Sequence, residues 1–175
     1  MRVLAVDPGL TRCGVAVLDG GSGHRATLVH AGVLRTSPEE PASRRLLAVH
    51  EGLESLVREH GPTVVAVERV FSQHNVRTVM ATAQVSGLVL LVAARAGLDI
   101  ALYTPSEVKA AVTGAGRAGK GEVQAAVARI LGLAEAPRPA DAADAVALGI
   151  CHAWRGRGLE RLAAASLRAR LPGPR

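Results

Sequence analysis

Cysteine and aromatic residues are scarce in this sequence. Phe, Tyr and Trp occur once each in 175 residues, so the hydrophobic core must consist mainly of Val, Leu and Ala. The two cysteines, Cys13 and Cys151, are far apart and lack the spacing of metal ligands. This excludes a disulfide framework or a cysteine-based zinc module. We expect both thiols to be buried and reduced, as in a cytoplasmic protein.

Long apolar runs are also missing. The longest candidate, Val85–Ala94, is interrupted by Ser86 and Gly87 and ends at Arg95, which predicts a core helix rather than a membrane span. The N-terminus enters an apolar strand at once, without the charged and then apolar segments of a signal peptide. We therefore expect a cytoplasmic protein that makes no contact with a membrane.

Positive charge exceeds negative charge, and the excess is unevenly placed. The net charge of +6 arises from residues 69–120 and 155–175, whereas residues 1–68 and 121–154 are slightly acidic. The basic segments could face phosphates while the acidic ones supply reactive carboxylates. The length predicts one domain over 1–154, followed by a basic tail over 155–175 that we expect to be only partly ordered.

Apolar runs bounded by Gly and Pro predict five strands. The first three form an antiparallel meander, with Asp19-Gly20-Gly21 as a hairpin turn, and the last two alternate with helices. The predicted strands are Arg2–Asp7, Gly14–Leu18, Ala26–Leu34, Thr63–Val67 and Asp99–Tyr103. Helical periodicity and capping signals predict helices between and after the last strands. The predicted helices are 43–60, a long one ending at Ala96, one starting at the Thr104–Glu107 capping box, one ending near Leu131, and 141–154. This order predicts a mixed five-stranded sheet, with three antiparallel strands followed by parallel ones, flanked by helices.

Four carboxylates occupy unusual places in this pattern. Asp7 and Glu68 each end an apolar strand, where a buried, unpaired carboxylate would be costly and needs a cation. Asp141 and Asp144 lie three residues apart in the first turn of the last helix, on one face. Taken alone, that pair also fits the ordinary preference of acidic residues for a helix N-terminus.

Together the four acids predict a metal-dependent nuclease. They would repel one another unless cations lay between them, and hard oxygen ligands suit Mg²⁺, with Mn²⁺ as a substitute. Two such ions can activate a water molecule and stabilise the leaving oxygen of a phosphodiester.

Several motifs occur here in a characteristic order. They are Asp7-Pro8-Gly9 with Gly14, Glu68-Arg69-Val70-Phe71, Lys109, Lys120 and Ala140-Asp141-Ala142-Ala143-Asp144-Ala145. Over residues 1 to about 154 the chain thereby resembles the RuvC family of Holliday-junction resolvases. The resemblance implies a ribonuclease H-like fold and a homodimer. It also implies paired symmetric nicks across a four-way DNA junction, with 5′-phosphate ends, in homologous recombination and repair. The RuvA–RuvB branch-migration complex is implied as a partner.

The resemblance also assigns roles to single residues. Asp7, Glu68, Asp141 and Asp144 would be metal ligands and catalytic residues. Phe71 would stack on or wedge against a junction base. A core position would be the better prediction without the polar Ser72-Gln73-His74-Asn75 run that follows it. The only two lysines, Lys109 and Lys120, would lie near the scissile phosphate as catalytic and DNA-binding residues. Weaker candidates for phosphate contacts are Arg69, Arg77 and Arg117.

Two departures from the family and three alternatives complete the prediction. The tail after Arg155 lies outside the match, and it either adds non-specific DNA affinity or is simply solvated chain. Relatives often have Gly-Gln-Ala-Arg-Gly where this chain has Ala83-Gln84-Val85-Ser86-Gly87, so a contact made by that arginine is lost at Ser86.

A ribonuclease H-like nuclease that acts on structured RNA precursors also begins with a strand into Asp-Pro-Gly. A sugar-kinase or actin-like phosphotransferase would need a second domain, and a non-catalytic junction-binding protein would not need all four acids.

Overall fold

The computed structural model describes the backbone of residues 1–69 and 76–170, and the side chains of these residues except 76–78 and 157–170. The strands are β1 (Arg2–Asp7), β2 (Arg12–Gly20), β3 (Ala26–Arg35), β4 (Val64–Glu68) and β5 (Asp99–Tyr103). The helices are α1 (Ala42–His60), α2 (Val76–Arg95), α3 (Pro105–Thr113), α4 (Lys120–Leu131) and α5 (Ala140–Arg170).

The strands form one mixed sheet in the order β3-β2-β1-β4-β5. The first three are antiparallel, and β4 and β5 run parallel to β1, as predicted. In this register Val6 pairs with Val67 and Glu68 pairs with Tyr103. Asp7 and Glu68 therefore lie at the ends of neighbouring strands, at the same edge of the sheet.

Side chains alternate between two cores, one on each face of the sheet. In β1, Leu4 and Val6 pack with residues of α1 and α2, whereas Val3 and Ala5 pack with residues of α3, α4 and α5. Every one of these four side chains is buried. This period of two explains why β1, covered on both faces, is apolar throughout.

Helix α5 lies unusually close to the sheet. A Cβ atom at Gly14 would be 2.2 Å from the carbonyl oxygen of Asp141, and one at Gly149 would be 2.2 Å from Leu18 Cδ1. Only glycine allows these approaches, since such contacts are far inside van der Waals distance. The close fit at Gly14 brings the N-terminal turn of α5, with its two aspartates, beside the end of β1.

Local signals placed the start of α3 and the end of α1 correctly. Thr104 and Glu107 form the predicted capping box of α3, with Pro105 in the first turn. Gly61 ends α1 in the left-handed conformation, with φ 55°. Cys13 is buried and free, as is Cys151. Within the described part of the chain, no helix combines the length and the apolarity that crossing a bilayer requires.

Two local predictions were wrong. Asp19 and Gly20 belong to β2, and the turn follows them, closed by a hydrogen bond of 3.0 Å from the Gly21 N–H to the carbonyl of Arg25. Asp19 stays in the strand because its carboxylate accepts two hydrogen bonds from Arg2, at 2.8 Å each. Helix α5 continues to Arg170 instead of ending at Trp154. Its sequence there is rich in Leu, Ala and Arg and free of proline, which favours continuation.

Candidate active site

Three of the four predicted carboxylates share one cavity at the edge of the sheet. Its volume is about 220 Å³. The charged side chains that line it are Asp7, Glu68, Asp144, Lys109 and Lys120. β1 and β4 supply the first two acids, α5 supplies the third, and the lysines come from α3 and α4. Elements far apart in the sequence thus bring acids and bases together in one cleft.

The electrostatics of this cavity raise the pKa values of two acids. Burial, and then the charges of Asp144 and Asp141, raise the pKa of Asp7 to about 6. Burial, and then the charges of Asp7 and Asp144, raise the pKa of Glu68 to about 7, which Lys109 partly offsets. Both shifts show carboxylates that lack enough positive charge for their degree of burial.

Lys120 pairs with one of these acids. Its Nζ lies 3.2 Å from Asp144 Oδ2, and both side chains keep partial contact with solvent. Lys120 is the first residue of α4, and the Gly119 N–H before it donates to the Glu122 carboxylate at 2.6 Å. The glycine-rich loop and this capping contact therefore fix where the lysine enters the cavity.

Asp141 takes a different direction. Its Oδ2 lies 3.2 Å from Arg12 Nε, and it lines a neighbouring cavity instead of the one around Asp7. It is still near enough to raise the pKa of Asp7. Sequence reasoning missed Arg12, and the available signal was a basic residue at the start of β2, just after the Asp7-Pro8-Gly9 turn.

The donor chemistry fits a divalent cation. Carboxylate oxygens are the preferred ligands of Mg²⁺ and Mn²⁺, and the raised pKa values of Asp7 and Glu68 show a local deficit of positive charge. Among the described residues, no group of three or more Asp, Glu, His or Cys side chains is already gathered closely enough to hold a metal ion. Asp144 and Asp141 instead pair with Lys120 and Arg12.

The predicted DNA-contacting residues lie at several places. Arg69 is exposed just after β4, and its N–H donates to the Tyr103 carbonyl at 2.7 Å. Arg117 is exposed in the loop before α4 and does not line the carboxylate cavity. Phe71 lies outside the described residues, as does the side chain of Arg77.

A buried polar pair behind the cavity was also missed. The hydroxyl of Tyr103 lies 2.8 Å from His152 Nδ1, joining the end of β5 to α5. Burial lowers the pKa of His152 to about 4, so its ring is neutral at physiological pH. Because Tyr103 pairs with Glu68 in the sheet, this bond braces the strand end next to a cavity acid. The only tyrosine of the chain, at a predicted strand end, was the available signal.

Ser86, at the position where the family resemblance implies an arginine, lies within α2. Its Oγ is buried and has no hydrogen-bond partner among the described residues. The residue therefore offers neither a charge nor an accessible hydroxyl at this point of the helix.

The sequence is similar to known proteins over almost its whole length. The sequence profile of the family described as crossover junction endodeoxyribonuclease RuvC matches residues 3–152. A crossover junction endodeoxyribonuclease RuvC from Saccharopolyspora erythraea is 61% identical over 169 residues, covering 97% of this chain and 85% of the relative. Another from Salinispora arenicola is 60% identical over the full length of both chains.

Solved structures show similarity of the fold. Thermus thermophilus RuvC in complex with a Holliday junction substrate superposes with a TM-score of 0.85 at 38% identity, covering 90% of this chain and 96% of that one. A yeast mitochondrial Holliday junction resolvase, at 12% identity, 91% and 80% coverage and a TM-score of 0.63, shares the fold. The predicted ribonuclease H-like fold with its mixed five-stranded sheet is therefore confirmed. The chain belongs to the RuvC family of crossover junction endodeoxyribonucleases.

Proposed function

We propose that this protein is a structure-selective endonuclease that resolves Holliday junctions by paired symmetric phosphodiester cleavage in homologous recombination and DNA repair. The observation that carries the proposal is the cavity in which Asp7, Glu68 and Asp144 face Lys109 and Lys120. Carboxylates suited to binding cations and lysines suited to binding a phosphate therefore line one cavity. Membership of the RuvC family makes the four-way DNA junction the substrate of choice.

The metal requirement rests on the same acids. We infer that Asp7, Glu68 and Asp144 hold Mg²⁺, joined by Asp141 once it leaves Arg12, with two ions per site and Mn²⁺ as a substitute. Ions bound there supply Lewis acidity toward the phosphodiester and make water nucleophilic at neutral pH. Glu68 and Asp7 would give up any proton they carry when a cation binds, because its positive charge offsets the burial and the repulsion that raised their pKa values.

The basic side chains orient the substrate. Lys120 would exchange Asp144 for a non-bridging oxygen of the scissile phosphate, and Lys109, beside Glu68, would neutralise the same group. A point charge on a flexible stem suits this exchange. Arg69, Arg77 and Arg117 would contact phosphates further along the strand.

The remaining predictions extend to the assembly. Two symmetric nicks need two sites, so the protein would act as a homodimer on one junction. Phe71 would insert among the bases, and RuvA–RuvB would be the partner complex.

Residues 1–154 would form the nuclease domain. The basic residues of 155–175 would add salt-sensitive DNA affinity. The cytoplasm, where bacterial DNA is found, is the expected location.

Purified protein incubated with a synthetic four-way junction, a linear duplex and a structured RNA, each with and without Mg²⁺, tests the proposal. We expect paired nicks in the junction alone, and only with the metal. Cleavage of the RNA in preference to the junction would favour the alternative of a nuclease for RNA precursors. Cleavage in the presence of a chelator would contradict the role given to the carboxylates.

A further inference from the structure

A second cavity, of about 380 Å³, adjoins the candidate active site and is basic where the first is acidic. We call it the Arg45 pocket. Its lining residues include Gly9, Thr11, Arg12, Arg45, Thr82 and Asp141. Asp141, one helical turn before Asp144, borders it, and the Gly9–Arg12 turn that forms its wall follows Asp7 directly. A strand of DNA seated over Asp7 would therefore pass this pocket.

The guanidinium of Arg45 is fixed in place by neutral partners. Its Nε donates to Thr36 Oγ1 at 2.9 Å, and its Nη2 donates to Thr11 Oγ1 at 2.7 Å. The Thr36 hydroxyl in turn donates to the carbonyl of Leu10, and the Thr36 N–H donates to that of Thr11 at 3.1 Å. These contacts set the orientation of Arg45 without cancelling its charge. Within the described residues, no carboxylate forms an ion pair with it.

An oriented and unneutralised guanidinium is suited to a phosphodiester. Two of its five N–H donors are used by the threonines, and the others can form the forked pair of hydrogen bonds that arginine makes with phosphate oxygens. Arg12 lines the same pocket, with its side chain 57% exposed and Asp141 as its ion-pair partner. An arriving phosphate would compete with Asp141 for Arg12.

We propose that the Arg45 pocket binds a second, uncleaved backbone phosphate of the nicked strand, and that Arg12 turns from Asp141 to this phosphate when DNA arrives. The inference rests on the function proposed above. Its consequence is a link between DNA binding and metal loading, because Asp141 loses its counter-ion at the moment the strand is in place. By thermodynamic reciprocity, divalent cations would in turn tighten the hold on this phosphate.

Junction affinity in a chelator, where the strand is not cut, tests the pocket without relying on activity. The comparison is Arg45→Ala against Arg44→Ala, an exposed neighbour on α1 that does not line the pocket. The two variants lose the same charge. We expect Arg45→Ala to weaken binding of a fluorescent four-way junction by about tenfold or more and to reduce the slope of log affinity against log salt by about 1, with little change for Arg44→Ala.

Single methylphosphonate substitutions along the nicked strand locate the phosphate. In the wild type, one position besides the scissile one should weaken binding when its phosphate is made neutral. In Arg45→Ala that penalty should vanish, because the partner is already missing. A variant that only disturbs folding would lose affinity without losing this positional penalty. If thermal melting shows that Arg45→Ala is unfolded, Arg45→Lys replaces it in the same methylphosphonate series. We then expect the penalty at that position to be smaller than in the wild type.

The outcomes separate this inference from the proposed function. Wild-type protein that does not prefer junctions over linear duplex would overturn the proposed function itself. Wild-type protein that binds and cuts junctions, with identical methylphosphonate penalties in Arg45→Ala and Arg44→Ala, would overturn the Arg45 pocket alone.

Discussion

Arg12 and Asp141 form an ion pair, 3.2 Å from Nε to Oδ2, that turns one predicted metal ligand away from the other three. Lys120 pairs with Asp144 at the same distance. Each aspartate of the α5 N-terminal turn therefore has a basic partner from another element. Asp7 and Glu68, which have no ion pair among the described side chains, carry the raised pKa values instead.

Arg12→Ala should make Asp141 easier to load with metal. Without its arginine, Asp141 adds its charge to the cavity, and we expect the Mn²⁺ concentration that gives half of the maximal thermal stabilisation to fall by about threefold or more. Arg25→Ala, which removes an exposed arginine from the turn after β2, is the matched control. Equal Mn²⁺ titrations for the two variants would show that the Arg12–Asp141 pair does not compete with the metal.

Asp7→Asn should abolish cleavage and preserve junction binding. The carboxylate is lost from the centre of the acid cluster, whereas the basic groups that hold phosphates remain. In the absence of divalent cations the variant should also be more stable at pH 8 by roughly 1–3 kcal/mol, because a repelled, buried charge is removed. Gel analysis of nicked junctions, fluorescence anisotropy and denaturant unfolding measure the three effects, and loss of junction binding would speak against the assigned role.

The two raised pKa values predict how stability depends on pH. The folded-state pKa of Asp7 is about 6 against an ordinary 3.8, and that of Glu68 is about 7 against 4.5. Folding therefore favours the protonated acids, and their contribution is fully present below about pH 4 and is lost as the pH rises through 6 and 7. In a chelator, the free energy of unfolding of the wild type relative to Asp7→Asn/Glu68→Gln should fall across this window.

That comparison has an internal control. His152, whose pKa is lowered to about 4, acts in the opposite direction below pH 6.5, but it is common to both proteins and cancels in the difference. Saturating Mg²⁺ should remove the pH dependence of the difference at neutral pH. A flat difference in the chelator would mean that neither burial nor mutual repulsion raises the pKa values of the two acids.

Tyr103→Phe should destabilise the fold by about 1–3 kcal/mol, because it leaves the buried Nδ1 of His152 without its partner. The double variant Tyr103→Phe/His152→Leu should recover part of the loss, since neither polar group then remains. Urea unfolding of the four proteins of this cycle gives the coupling energy. Additive losses would indicate that the two side chains do not depend on each other.

Phe71→Ala should slow junction cleavage while the thermal midpoint stays within a degree or two of the wild type. This expectation derives from the sequence, in which Phe71 precedes the polar Ser72-Gln73-His74-Asn75 run. An exposed aromatic that stacks on a base contributes about 1–3 kcal/mol to binding and nothing to the core. A large fall in the midpoint would identify Phe71 as a core residue.

The positions of Asp7 and Glu68 could be predicted because each follows an apolar run that reads as a buried strand. Because the ends of neighbouring parallel strands lie at one edge of a sheet, the two carboxylates were expected to lie close together. The caps at Thr104 and Gly61 were equally predictable, because the residues that decide them lie within a few positions of each other. The sequence by itself thus determined the elements, their order and most of the acid cluster.

Only the tertiary structure decided which way each aspartate of α5 points. Residues three apart on a helix differ by about 60° around its axis, so Asp141 and Asp144 share a face but not a neighbour. Because α5 packs closely on Gly14, this difference in direction places Asp141 beside Arg12 and Asp144 in the cavity. Such orientations depend on contacts between residues more than a hundred positions apart, which local patterns do not encode.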